Sequence, residues 1–163
     1  MDSTIKKGRL GYNLVEKELL KRNWDIYLPI VEDTKIDCIA IKNHDLEKMQ
    51  IKTLIVDIRN GKKFLPVRKI SHNQGRYKIS YYTDDDVDYF LGVDLETDDI
   101  YVVPINFTKK YKSAISTNKL KPFLNNWTQL EPVSGNINSV GDDIGERLTA
   151  NTEGMGNQPV ESR

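Results

Sequence analysis

The stretch "KMQIKTL", residues 48–54, alternates apolar and polar side chains at the two-residue period of a β-strand. Met49 and Ile51 fall on one face of that strand, and Gln50 and Lys52 fall on the other. A glutamine and a lysine that face water would carry no information about function. The same pair facing a metal ion and a phosphate would form a functional site, and the neighbouring strands decide between these two interpretations.

The segments before this strand predict a helix followed by an antiparallel meander. Leucine and valine recur at helical spacing across 7–21, between charged residues. The segments 24–30 and 35–41 are rich in aromatic and β-branched residues and predict two strands. A turn at 43–48 then leads into a third strand at 49–58. The strand that contains residues 48–54 is therefore expected to pair with residues 35–41.

The rest of the chain predicts further strands and then a tail. Residues 89–107 read as two strands joined by an acidic turn. After Pro132 no aromatic residue remains, and glycine, asparagine, threonine and serine predominate. We therefore expect one domain over 1–130 and a polar, flexible tail over 131–163.

Composition excludes several classes of protein. The chain has one cysteine, Cys38, and two histidines, His44 and His72, which rules out a disulfide framework, a Cys/His zinc site within one chain and an HNH nuclease site. No stretch approaches the ~20 apolar residues of a membrane span, and no signal peptide opens the chain, so we expect a soluble, cytoplasmic protein. Cys38 is expected to be a small buried residue.

An aspartate in the second strand could form a metal-binding site together with the polar face of the third strand. Asp37 stands among apolar residues, where an unpaired charge is costly. Antiparallel pairing through the 43–48 turn brings Asp37 close to Gln50 and Lys52. A carboxylate, the amide oxygen of Gln50 and the backbone carbonyl of Ile51 can ligate a hard cation such as Mg2+, and the lysine can position a water or neutralise a phosphate. The alternative for Asp37 is a buried aspartate that caps the following turn. The alternative for Gln50 and Lys52 is an ordinary polar strand face.

This pattern, "IDCIAI…MQIK", resembles the core motif of the PD-(D/E)XK nucleases, with Ile36 in place of the usual proline and Gln50 in place of the usual acid. The opening "KGRLGYNLVEKELLKRNWDIYLP" and the later "DVDYFLGVDLETDDIYVVPIN" are similar to the flanking segments of family members, above all of a bacterial homing endonuclease encoded in a group I intron. The resemblance implies an α/β (α+β) fold with a central mixed sheet flanked by helices. It also implies a metal-dependent DNA endonuclease that uses Mg2+, with Mn2+ as the alternative cation.

The first helix departs from the family pattern. Where many relatives carry a glutamate, this chain has Tyr12, and the nearest acid on that face is Glu16, one turn later. The resemblance therefore implies Asp37, Gln50, Lys52 and Glu16 as catalytic residues and Asp37 and Ile51 as metal ligands, with the roles of Glu16 and Tyr12 left open. With one carboxylate fewer than usual, the site should bind Mg2+ weakly.

A basic segment at 59–78 is the candidate DNA-binding element. It contains no acidic residue, and as a two-stranded β-ribbon it could enter the major groove. The alternative is a solvated basic hairpin. The residues predicted to contact DNA are Lys62, Lys63, Arg68, Lys69, Arg76 and Lys78.

Charge is distributed unevenly along the chain. Residues 1–80 hold 17 basic and 10 acidic side chains, whereas 84–99 holds eight acids and no base. The acidic block should face away from DNA or pair with the basic ribbon of another copy, which would favour a homo-oligomer. The resemblance implies a tetramer on double-stranded DNA.

Three functions remain open from the sequence. The first is a site-specific homing endonuclease that makes a double-strand break. The second is a resolvase-like or repair nuclease that recognises DNA structure, and the third is a catalytically inactive DNA-binding protein, for which Tyr12 and Gln50 are the arguments.

Overall fold

The structure is a computed structural model that describes residues 3–31, 34–73 and 76–131. These residues belong to one compact unit, Met1–Pro132. The predicted tail, 131–163, lies outside the described residues apart from Glu131. No helix within the described ranges is long and apolar enough to cross a membrane.

The predicted central mixed sheet is confirmed. It has five strands in the order β1-β2-β3-β8-β9, in which β3 and β8 are parallel and the other neighbours are antiparallel. The strands are β1 Asp25–Tyr27, β2 Cys38–Lys42, β3 Asp45–Thr53, β8 Tyr89–Asp94 and β9 Asp99–Pro104. The predicted meander is thus β1-β2-β3, and the predicted acidic turn joins β8 to β9.

The turn between β2 and β3 is shorter than predicted. Only Asn43 and His44 form it, and both have positive φ angles, 51° and 72°. Two successive positive φ values are the signature of a type I′ hairpin turn, whose twist matches that of the flanking strands. Residues 45–48, expected in the turn, therefore extend β3.

One long helix covers one face of the central sheet. Helix α1, Ser3–Lys21, buries Val15 and Leu19 against a core that includes Met49 and Val93. Cys38 lies in this core, buried and unpaired as expected. At Gly11 the helix comes so close to β3 that a Cβ atom would stand 2.9 Å from Thr53 Cγ2. A residue without a side chain is what permits this approach.

The opposite face carries a second core beneath a small sheet. That sheet has the order β10-β5-β4, formed by β4 Ile55–Val56, β5 Lys63–Pro66 and β10 Ala114–Ser116. Leu65 and Ile115 from it pack with Phe90 and Val103 of the central sheet. Two single-turn helices, α2 Ile105–Thr108 and α3 Thr117–Leu120, complete this layer.

A separate two-stranded ribbon projects from this frame. It consists of β6 Arg68–Asn73 and β7 Arg76–Tyr81, paired antiparallel. The ribbon is shorter than the predicted 59–78: Lys62 precedes β5, and Lys63 belongs to β5 in the small sheet.

Glu47 on β3 makes the stability of this fold depend on pH. Burial, together with the charges of Asp88 and Asp45, raises the pKa of Glu47 from 4.5 to about 7. Between these two values the folded protein binds more protons than the unfolded chain does, so the free energy of unfolding should fall as pH rises through that window. We expect Glu47→Gln to remove the fall, with a gain on the order of 1 kcal/mol above pH 7 after allowance for solvent screening. The gain should vanish below the unfolded pKa.

Urea unfolding between pH 4 and 8 measures this effect, and Glu18→Gln provides a control of opposite sign. Hydrogen bonds from Lys21 and Arg22 lower the pKa of Glu18, so its stabilisation is present at neutral pH and is lost as pH falls. A gain for Glu47→Gln that is equal at all pH values would contradict the assignment.

Candidate active site

The site lies where β2 and β3 separate. Their pairing ends at Cys38 and Met49, with one further hydrogen bond from the Asp37 N–H to the Met49 carbonyl at 2.8 Å. Beyond this point β3 continues to Thr53 with β8 on one side and no strand of the described chain on the other. The N–H and carbonyl of Ile51 therefore point towards an open edge.

The carboxylate of Asp37 occupies this open edge. Its Oδ2 accepts a hydrogen bond of 2.7 Å from the Ile51 N–H, and the Nε2 of Gln50 donates to the same oxygen. Gln50 Nε2 also lies 3.4 Å from the Ile51 carbonyl. The predicted proximity of Asp37, Gln50 and Ile51 is thus present, although Asp37 stands one residue before β2 rather than within it.

These groups form one wall of an open cleft of about 620 Å³. Helix α1 and the segment after β1 form the other walls, and Lys52 lies on the same wall as Asp37. The cleft-lining residues are Ile5, Gly8, Arg9 and Tyr12 from α1, Leu28, Pro29 and Val31 after β1, and Thr34, Ile36, Asp37, Gln50, Ile51 and Lys52.

Burial disfavours the charged forms of both Asp37 and Lys52. Burial raises the pKa of Asp37, although the Ile51 N–H and the charges of Lys52 and Lys69 act in the opposite direction. Burial likewise lowers the pKa of Lys52, and the nearby Asp37 offsets part of this effect. Desolvated charges interact strongly with whatever enters the cleft, which is the property a catalytic site needs.

Lys52 lies over an aromatic ring that no sequence motif indicated. Its Nζ lies 5.8 Å from the ring centroid of Tyr82, and no acidic side chain of the described residues forms a salt bridge with it. Tyr82 is buried and packs edge-to-face on Phe90 at 5.0 Å. Since Tyr82 is thirty residues away in the chain, only the tertiary structure could bring it here.

The structure separates the two candidates on α1. Tyr12 lines the cleft, whereas Glu16 does not. The hydroxyl of Tyr12 is buried without a hydrogen-bond partner among the described residues, and burial raises its pKa to about 12, so it enters the site as a neutral group. Glu16 is close enough that its charge contributes to this increase. Arg9, which no sequence motif indicated, lies with its guanidinium carbon 5.3 Å from the centroid of the Tyr12 ring and places a positive charge in the cleft.

The oxygen donors present fit a hydrated divalent cation rather than a tightly caged one. Asp37 offers a carboxylate, Ile51 a backbone carbonyl, and Gln50 an amide oxygen once its amide group is rotated. Among the described residues no group of three His, Cys, Asp or Glu could hold a metal ion. A cation such as Mg2+ keeps several waters and takes one or two carboxylates together with substrate phosphates, which matches this small donor set.

The ribbon has two chemically different faces. Opposed residues of an antiparallel pair project to the same side, so Lys69 and Ser80, and Ser71 and Lys78, share one face. Arg76 also lies on this polar face by register. The other face carries Arg68, Ile70, Tyr77, Ile79 and Tyr81.

Lys69 connects the polar face of the ribbon to the cleft. Its Nζ donates to the Thr34 carbonyl at 3.4 Å, and its charge reaches both Asp37 and Lys52. The cationic face of the ribbon is therefore continuous with the site.

Lys63 is placed elsewhere. Its Nζ binds both carboxylate oxygens of Asp94, at 2.7 and 2.9 Å, and Glu96 at 2.6 Å. Part of the acidic block is thus neutralised within the chain itself, as it is at Asp86 by Lys35 and at Asp84 by Lys109.

Comparisons with known proteins concern the family and the fold of this chain. A family model described as PD-(D/E)XK endonuclease matches residues 2–130. The solved structure of a bacterial homing endonuclease, I-Ssp6803I, matches with a TM-score of 0.71 and 22% sequence identity, over 79% of this chain and 93% of that chain. At this identity the likeness concerns the fold. No curated protein matches the sequence.

Proposed function

Because the chain belongs to the PD-(D/E)XK endonuclease family, we propose that it is a site-specific DNA endonuclease that hydrolyses phosphodiester bonds with Mg2+. The observation that carries the proposal is the convergence of Asp37, Gln50, Ile51 and Lys52 on one open strand edge within a cleft. A carboxylate, two further oxygen donors and an ammonium group are the parts that metal-assisted hydrolysis of a phosphodiester requires.

The roles follow from the positions of the atoms. Asp37 and the Ile51 carbonyl would hold the cation, and the Gln50 amide would turn its oxygen towards it. Mg2+, or Mn2+ in its place, would supply Lewis-acid polarisation of the phosphate and a more acidic bound water. Lys52 would neutralise charge on the phosphate or orient the attacking water. We assign contact with the substrate, or with the water around the metal, to Tyr12 rather than to Glu16, because Tyr12 lines the cleft.

The polar face of the ribbon is the proposed DNA-binding surface. A two-stranded ribbon fits the major groove, where lysine and arginine can reach both phosphates and base edges. Lys69, Arg76 and Lys78 lie on that face, and Lys69 leads from it to the cleft. Arg68 lies on the other face by register, and Lys62 and Lys63 lie outside the ribbon.

Lys78→Gln and Lys63→Gln should therefore differ in the salt dependence of DNA binding. Loss of one phosphate contact reduces the slope of log K against log salt concentration by about one, and we expect this for Lys78→Gln. Lys63→Gln should leave the slope unchanged, because Asp94 and Glu96 already bind that ammonium group. Fluorescence anisotropy in EDTA measures both slopes, and an equal decrease for both variants would place Lys63 on the DNA as well.

A double-strand break requires more than one copy of this chain. One cluster of Asp37 and Lys52 cuts one strand, so at least two copies must be arranged about the target with two-fold symmetry. We propose a homo-oligomer, for which the resemblance of the sequence to the family implies a tetramer, acting as an intron-encoded homing endonuclease. Sedimentation of the protein with and without DNA tests the assembly.

Cleavage of a randomised plasmid library tests the function. With Mg2+ we expect discrete ends within one long sequence, and no cleavage with EDTA. Ends confined to branched or damaged DNA would favour a structure-specific nuclease. Salt-sensitive binding without cleavage at any Mg2+ or Mn2+ concentration would favour an inactive DNA-binding protein. This is the second candidate, because the described residues contain no group of three His, Cys, Asp or Glu that could hold a metal ion.

A further inference from the structure

A second cationic surface lies on the far side of the Tyr82 ring. A groove of about 440 Å³ is lined by Val67, Tyr81, Tyr82, Thr108, Lys109, Tyr111 and Lys112. Tyr82, which lines this groove, also lies next to the candidate active site, because the Nζ of Lys52 is 5.8 Å from its ring centroid. The hydroxyl of Tyr82 is buried and has no hydrogen-bond partner in the described chain.

The segment that supplies part of the groove carries positive and no negative side chains. Residues 105–130 contain five lysines and no acidic residue. The ring of Tyr111 is flanked by the ammonium groups of Lys110, at 5.5 Å, and Lys119, at 5.2 Å, and Lys112 follows it in the chain. We call Tyr111, Lys110, Lys112 and Lys119 the Tyr111 patch.

The Tyr111 patch has positive charge that the fold does not neutralise. Lys110, Lys112 and Lys119 are exposed, and no salt bridge joins any of them to an acid of the described residues. Lys109 differs from them, because it binds Asp84 at 2.8 Å. Two exposed lysines that contact one tyrosine ring and a third exposed lysine next to it in the chain form a surface suited to a polyanion.

We propose that the groove and the Tyr111 patch bind the sugar-phosphate backbone of the DNA next to the phosphate that is cut. The inference rests on the proposed function, and two observations support it. The first is charge complementarity between the patch and a phosphate backbone. The second is continuity: the ring of Tyr82, which lines the groove, lies 5.8 Å from the ammonium group of Lys52 in the candidate active site.

This surface supplements the ribbon rather than repeating it. Tyr81, which lines the groove, lies on the face of the ribbon opposite to Lys69 by register. The DNA would therefore contact the protein on both sides of the ribbon base. Phosphate contacts there would fix the position of the duplex without reading its sequence.

The salt dependence of DNA binding tests the proposal. The triple variant Lys110→Gln, Lys112→Gln, Lys119→Gln should reduce the slope of log K against log salt concentration by about two to three. The charge-matched control is Lys7→Gln, Lys17→Gln, Lys21→Gln on α1: the first two lie beside the acidic turn at 95–98, and Lys21 pairs with Glu18. The control should keep the slope of the wild type.

Neutral methylphosphonates placed one at a time around the cut site locate the contacts. Those within a few nucleotides of the cut should weaken binding by the wild type, and should have a smaller effect on the triple variant. The triple variant could instead keep the salt slope of the wild type and sediment differently from it. That result would assign the patch to an interface between copies and overturn the proposal. If the wild type binds and cuts DNA and the two triple variants behave alike, this inference fails while the proposed function stands. If the wild type neither binds nor cuts DNA, both fail.

Discussion

Replacing Lys52 by methionine is expected to slow cleavage by about 100-fold or more while DNA affinity stays close to that of the wild type. Methionine keeps the length of the side chain and its packing on Tyr82 but removes the ammonium group. Because burial lowers the pKa of Lys52, its charge is held at a cost, and the variant should unfold at a temperature equal to or above that of the wild type. A loss of activity without a loss of stability separates a catalytic role from a structural one.

Single-turnover cleavage at saturating enzyme measures the effect, with binding measured in EDTA. Lys48→Met is the matched control: it makes the same substitution four residues earlier on β3, where the ammonium group contacts the backbone carbonyl of Asp85 at 2.7 Å. The control should cut at the rate of the wild type. If Lys52→Met cuts at the rate of the wild type, Lys52 has no catalytic role.

Asp37→Asn is expected to abolish detectable Mg2+-dependent cleavage and to leave the fold as stable or more so. The asparagine oxygen can still accept from the Ile51 N–H and from Gln50, so both hydrogen bonds to Asp37 persist. The substitution removes only the negative charge. Burial makes that charge unfavourable for folding, whereas cation binding requires it. Removal of a single hydrogen-bond donor to a transition state already costs about 10²–10³ in rate, and loss of a metal-binding carboxylate should cost at least as much.

Calorimetric titration with Mg2+ in the presence of DNA, together with urea unfolding, separates the two effects. Asp25→Asn makes the same change at the exposed start of β1 and should alter neither cation binding nor cleavage. Marked destabilisation of Asp37→Asn would mean that the carboxylate holds β3 in place rather than a metal.

The central sheet and the proximity of Asp37 to Gln50 could be predicted because they depend on local rules. Alternation along β3 sets which residues share a face, and a hairpin register sets which of them meet β2. Nothing local indicated that the hairpin loop has only two residues, because Asn43 and His44 do not form the usual Asn-Gly pair.

The contacts of the long side chains could not be predicted from sequence. Lys63 stands in a basic run, yet it binds Asp94 and Glu96, about thirty residues further along the chain. Tyr82 reaches Lys52 only because β7 ends beside β3. The Tyr111 patch could not be predicted for a related reason. Its lysines form a candidate binding surface only because they lie next to the Tyr111 ring and to the groove that this ring lines.

The open edge of β3 has a consequence for the solubility of the protein. A strand edge with free N–H and carbonyl groups is a template on which another chain can add a strand and start aggregation. Asp37 blocks this template, because its side chain takes the Ile51 N–H and its charge repels an incoming backbone carbonyl. The residue proposed for catalysis thus also guards against edge-to-edge association, and an inactive form made for crystallisation with DNA should carry asparagine there and not alanine.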